Sequence, residues 1–245
     1  MSPPKGQPQR RHGAQDGHGT RGGHGTRGRG AAPDSGGQRT PPPTLPEFAH
    51  INRYWDPEHY CFAAKLLPGE YYVSTAAEQI ATVLGSCVSA CVRDRRLGIG
   101  GMNHFMLPLD ASKGSSSWSG EISAATRYGN VAMERLINDI LKLGGQRETL
   151  EFKLVGGGKV LGGVGIDIGA RNIEFVRRYV HSEGFAVANE DLGDIYPRKV
   201  QYMPDTGKLR VKKLKVVRNS TLFERERHYL EELDREAAGN DIELF

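Results

Sequence analysis

Cysteine is scarce in this chain: Cys61, Cys87 and Cys91 are the three thiols among 245 residues. An odd count without small-domain spacing excludes a disulfide scaffold and suits a reducing compartment, where thiols stay free for chemistry. Cys87 and Cys91 cannot pair if they share an extended strand, since residues four apart lie about 13 Å apart against a limit of roughly 7 Å. No cysteine spacing marks a zinc site, so neither a metal nor a cofactor is expected. Long apolar runs are also missing. Nothing reaches the roughly 18 to 20 residues of a membrane span, and the N-terminus lacks the apolar centre of a secretory signal. A cytoplasmic protein without membrane insertion is the expectation.

Large apolar side chains are nearly absent from the first 45 residues, which are rich in Gly, Arg, Pro, Gln and His. Such a segment cannot bury enough surface to offset chain entropy, and a disordered arm is expected over 1–45. It holds a repeat, Gly17 to Gly22 and Gly23 to Gly28, each ending in Arg-Gly. Arg-Gly segments can bind RNA, but this arm has no interleaved aromatics for base stacking, so no nucleic-acid partner is required. The net charge of +4 is uneven: residues 1–50 hold seven Lys/Arg against three Asp/Glu, and 218–245 hold four Arg against eight Asp/Glu. The middle of the chain carries no strong nucleic-acid footprint.

What is present is one core's worth of apolar sequence, assigned to a domain over 46–217 with a charged, partly helical tail over 218–245. Tyr71 to Ser74, a segment from Ile80 toward Cys87, Val88 to Val92, Leu97 to Phe105, Phe152 to Val155, Phe185 to Asn189 and Lys199 to Met203 read as strands. Pro204-Asp205-Thr206-Gly207 reads as a hairpin turn, with Leu209 and Val211 alternating beyond it. Helical spacing of Met133, Leu136, Ile137 and Ile140 predicts a helix from about Arg127 to Leu143, and a second runs from about Arg171 to Ser182. A sparse stripe of Leu222, Phe223, Tyr229, Leu230 and Leu233 suggests a terminal helix that docks on the domain or a partner. Asp110 to Ser119 reads as a mobile loop. The fold class is α/β: a single layered, mixed domain, mostly antiparallel strands with two packed helices.

The chemistry concentrates in two stretches, Thr82-Val83-Leu84-Gly85-Ser86-Cys87-Val88 and Gly100-Gly101-Met102-Asn103-His104-Phe105-Met106-Leu107-Pro108. A hairpin between them would bring Cys87 to His104. A free thiol is only slightly ionised at neutral pH and needs an adjacent imidazole to take its proton. The backbone N–H of Cys87 and one from the Gly85-Ser86 turn are candidate oxyanion donors. On the residues alone, Cys87 is equally a small buried apolar group, and His104 a satisfied core histidine. Gly156 to Gly165, with Lys159 inside it, fails the phosphate-loop pattern because Val160 and Leu161 follow the lysine; close backbone packing is the better reading.

Leu84 to Val88, Gly100 to Pro108 and Gly169-Ala170-Arg171-Asn172 resemble, in that order, the CheD family of chemoreceptor glutamine deamidases. The resemblance spans roughly 51–213 and implies a CheD-like layered deamidase fold, with Cys87 as nucleophile, His104 as base and Thr82 orienting the imidazole. A β-branched residue filling a strand is an equal account of Thr82. Asn103, Arg171 and Asn172 are placed near the cleft. The implied activity is conversion of specific glutamines on the cytoplasmic helices of methyl-accepting chemotaxis receptors to glutamates, with a CheC-type phosphatase as a further partner. The alternative is a receptor- or CheC-binding module with vestigial catalysis.

Overall fold

A computed structural model of the chain describes residues 39–109, 123–161, 166–215 and 221–240. The expected loop at 110–119, residues 162–165 of the glycine-rich segment and the arm up to residue 38 lie outside them. The chain from Arg39 onward forms one compact unit. In order, its elements are β1 (Asn52–Asp56), β2 (Cys61–Lys65), β3 (Tyr71–Ser74), β4 (Gln79–Leu84), β5 (Val88–Asp94) and β6 (Gly100–Asn103), then α1 (Ala124–Lys142), β7 (Leu150–Gly156), α2 (Ile168–Ser182), β8 (Ala186–Leu192), β9 (Arg198–Met203), β10 (Lys208–Lys213) and α3 (Thr221–Asn240).

The strands form two five-stranded sheets, ordered β1-β2-β4-β9-β10 and β3-β6-β5-β7-β8. Most pairings are antiparallel; β2 with β4 and β7 with β8 are parallel. Parallel neighbours need a crossover, and α2 supplies one between β7 and β8. Between β2 and β4 the chain instead makes an excursion into the other sheet as β3. Val88 through Val92 are all buried, so β5 is covered on both faces. Helices α1 and α2 pack on the β5 sheet, while Ile80, Leu84, Val200 and Tyr202 of the other sheet share one core with Ala90, Cys91, Met133 and Phe152. Each fully buried Val, Leu, Ile, Met or Phe side chain contributes about 1.5–3 kcal/mol.

Three expectations change in detail. The strand expected over Leu97 to Phe105 is confined to Gly100–Asn103, because Leu97 to Ile99 complete a turn. The Asp94 carboxylate accepts the N–H groups of Arg96 and Leu97, and Gly98 adopts φ +68. Helix α2 begins at Ile168, not Arg171, because Asp167 caps it by accepting the Ala170 N–H at 3.0 Å. The packed helices number three among the described residues instead of two, because the expected terminal helix, α3, buries Leu230 and Leu233 on the domain. β1 and β2 had no counterpart in the sequence reading.

Candidate functional site

The candidate site lies where the chain changes sheets. β4 ends at Leu84 in one sheet, β5 starts at Val88 in the other, and Gly85-Ser86-Cys87 make the crossing. Their carbonyls are tied to one side. The Gly157 N–H donates to Cys87 O at 2.8 Å and the Gly158 N–H to Gly85 O at 2.8 Å, while Asn172 Nδ2 donates to Ser86 O at 2.9 Å. In a trans peptide the N–H points opposite its carbonyl, so fixing the Gly85 and Ser86 carbonyls aims the N–H groups of Ser86 and Cys87 the other way. This close packing explains the glycines. A Cβ at Gly156, where φ is +114, would sit 2.3 Å from Cys87 O, and one at Gly169 would sit 2.5 Å from Gly157 O.

His104 follows β6 and is held by its backbone: it donates to Glu70 O at 2.9 Å and accepts from the Gly69 N–H at 2.8 Å. Phe105 bridges to Val88, which places the histidine beside the Cys87 turn. Thr82, on β4, reaches His104 Nδ1 with Oγ1 at 2.8 Å. The same hydroxyl donates its one hydrogen to Leu66 O at 2.9 Å, so toward the imidazole it accepts. The proton therefore sits on Nδ1. Nε2 is buried and, among the described residues, has no hydrogen-bond partner.

Burial lowers the His104 pKa from 6.5 to about 3, so the ring is neutral at physiological pH. With the folded value below the unfolded one, stability is intact above about pH 6.5 and erodes as pH falls from there toward 3. At pH 5 the erosion is about 2 kcal/mol. Urea unfolding at pH 7.5 and pH 5 should show this loss in the wild type, and a loss smaller by about that amount in His104→Gln.

One residue of the site was not foreseen. Glu226 of α3 is fully buried and lays its carboxylate on the N–H face of the turn. Oε1 accepts from the Gly85 N–H at 2.6 Å and the Cys87 N–H at 3.4 Å. Oε2 accepts from the Ser86 N–H at 2.7 Å and from Ser86 Oγ at 2.7 Å. Cys87 is itself fully buried. Burial first, and then the neighbouring Glu226 carboxylate, push its thiol pKa well above the usual value. The signal for Glu226 was its spacing: it lies three, four and seven residues before Tyr229, Leu230 and Leu233, on the apolar stripe rather than the solvent face.

Asn172 bridges the two halves of the site, since its Oδ1 also accepts the Leu107 N–H at 2.9 Å. Arg171 donates to Pro108 O at 3.2 Å. Asn103 is engaged by the fold, accepting the Ala90 N–H at 2.8 Å and donating to Ala132 O at 3.1 Å. Cys91 is buried in the core. Cys87 Sγ, an imidazole nitrogen of His104 and a Glu226 oxygen lie within 4.8 Å of one another, a spacing open to a soft cation, although the glutamate oxygens are already engaged by the turn. Asp56, Glu58 and His59 form a second such group, in which Asp56 accepts from both following N–H groups and contacts His59.

A family model described as CheD chemotactic sensory transduction matches residues 106–213. A protein of Halorhodospira halophila named probable chemoreceptor glutamine deamidase CheD is 60% identical over 207 residues, covering 84% of this chain and 95% of that protein. Proteins of the same name from Hahella chejuensis and Methylobacillus flagellatus are 52% and 51% identical over 205 and 195 residues, covering 84% and 79% of this chain and 95% of each relative. The family-model match starts just beyond the two central residues. A stretch of 207 residues, however, cannot be laid on a 245-residue chain without spanning both Cys87 and His104.

Proposed function

The chain belongs to the CheD family, and from that premise we propose that it is a cytoplasmic protein-glutamine deamidase that converts specific glutamines of chemoreceptors to glutamates. The observation that carries the mechanism is the single-tautomer imidazole of His104, fixed by Thr82 beside a cysteine whose turn presents three convergent N–H groups. His104 Nε2 takes the Cys87 thiol proton and Sγ attacks the carboxamide carbon. The resulting oxyanion is held by the N–H groups of Gly85, Ser86 and Cys87. The carbon–nitrogen bond then breaks, and the imidazolium supplies the proton that leaves with ammonia. Water hydrolyses the thioester, releasing a γ-carboxylate and restoring the thiol. Each N–H donor of this kind contributes about 3 kcal/mol to such a transition state.

Receptor glutamines lie on helices, so recognition falls to a surface that accepts a helix rather than to a deep pocket. A CheC-type phosphatase is a further candidate partner. The test is incubation with receptor cytoplasmic fragments, reading the mass gain of about 1 Da at each glutamine. Cys87-dependent gain at discrete positions supports the deamidase, whereas receptor binding without any gain supports the binding-module alternative.

Thr82→Val keeps the side-chain shape and removes the hydroxyl, leaving Nδ1–H without its acceptor. A kcat reduced about tenfold to a hundredfold with KM unchanged is expected, because the tautomer is then no longer fixed. A loss confined to KM would contradict an orienting role.

A further inference from the structure

We propose that α3 is a tethered product analogue: it holds Glu226 where the reaction leaves its γ-carboxylate, and the groove it fills is the docking surface for a substrate helix. This rests on the deamidase reading above.

Glutamate is the product of glutamine deamidation, and the occupant of the site is a glutamate side chain carried on a helix. Its oxygens take the N–H groups of Gly85, Ser86 and Cys87, the donors assigned above to the oxyanion. The rest of one helical face completes the docking. The Tyr229 ring packs over Gly69 and its hydroxyl meets that of Tyr128 on α1. Leu230 and Leu233 are buried, and Asp234 accepts the Leu109 N–H at 2.6 Å. Glu226, Tyr229, Leu230, Leu233 and Asp234 follow the i, i+3, i+4, i+7, i+8 pattern of a single face.

The docked helix and a substrate exclude each other, because one set of N–H groups cannot hold two side chains. A carboxylate at the thiol also opposes thiolate formation, so Glu226 in this position blocks turnover instead of assisting it. α3 must leave for a receptor helix to enter. A helix docked nine-tenths of the time raises the apparent KM about tenfold.

The full-length protein, Glu226→Ala and Leu230→Ser/Leu233→Ser are compared in two measurements. The first is the rate of Cys87 alkylation by iodoacetamide, read by peptide mass spectrometry, with buried Cys91 as the control for an intact fold. The second is deamidation of receptor fragments. Cys87 should react about tenfold faster in the leucine double variant, with a smaller gain in Glu226→Ala, and the KM for receptor fragments should fall in both. Unchanged Cys87 reactivity in both variants, or lower kcat in Glu226→Ala, would overturn the proposal, the latter by making Glu226 a participant in turnover.

Glu226→Gln places a carboxamide in the same position. In this variant Cys87 Sγ should bond to its side-chain carbonyl carbon as ammonia departs, a loss of about 17 Da if the thioester persists, or a net gain of about 1 Da at residue 226 once water hydrolyses it. Either change should vanish in the Cys87→Ala background. An unaltered mass in a protein that deamidates receptor fragments would overturn the product-analogue assignment. Faster alkylation without receptor deamidation in any variant would instead leave the occlusion standing and defeat the proposed activity.

Discussion

Cys87→Ala is expected to abolish deamidation, with kcat reduced on the order of 10^5-fold or more, the scale seen when an enzyme loses its nucleophile. Without the thiolate, the N–H groups of the turn can polarise a carboxamide but nothing forms the acyl intermediate. The fold should survive. Cys87 contributes one small buried side chain, and its turn is held by main-chain bonds from Gly157 and Gly158 and by Asn172. Removal of the sulfur should cost about 1 kcal/mol or slightly more. Thermal unfolding alongside ammonia release separates the two effects: lost activity with nearly unchanged Tm is the expected pair. Residual deamidation near the wild-type rate would remove Cys87 from the mechanism.

His104→Gln should reduce kcat by about 10^3-fold, within the usual range for a positioned general base. Glutamine approximates the imidazole's volume and can still bond to Thr82, so the cavity cost of an alanine substitution is largely avoided. Two readouts distinguish loss of the base from loss of shape. Alkylation of Cys87 near neutral pH should slow, since no imidazole takes the thiol proton, and the remaining activity should rise with pH as the thiol ionises unaided. Combined with Cys87→Ala, the substitution should add almost nothing, because the two residues act as one unit. A wild-type rate in His104→Gln would refute the pairing.

These two residues matter for the resting state as well as for turnover. With α3 docked, the thiol is protonated and the imidazole neutral, each held there chiefly by burial. The reactive ion pair therefore belongs to a state in which the Glu226 carboxylate no longer lies at the thiol. The site is consequently stable against adventitious oxidation while closed, since the thiolate rather than the thiol is the reactive species.

Much of this was legible in the sequence because it is local. Aromatic and β-branched residues marked β3, alternation marked β5, and helical spacing marked α1. The Gly-Ser-Cys turn and the histidine beyond the next strand could be paired because a short hairpin leaves few alternatives. Thr82 was picked out by the family resemblance, and its hydroxyl lies 2.8 Å from His104 Nδ1. β1 and β2 escaped because their mixed polar and apolar residues, including Arg53 and Lys65, carry no clean period. Asn172 could be placed near the cleft, but not as the side chain that ties the turn to Leu107.

The linear order of residues carried the element types and put Cys87 and His104 in adjacent stretches, because a strand's period of two and a helix's of 3.6 are written in neighbouring residues. Packing between distant elements is what carries the Gly85-Ser86-Cys87 turn from one sheet to the other, and what sets a glutamate some 140 residues farther along the chain on its N–H groups. Backbone N–H donors look the same at every residue, and a carboxylate on a charged helix looks solvated. Their meeting depends on how distant elements pack, and no local period records it.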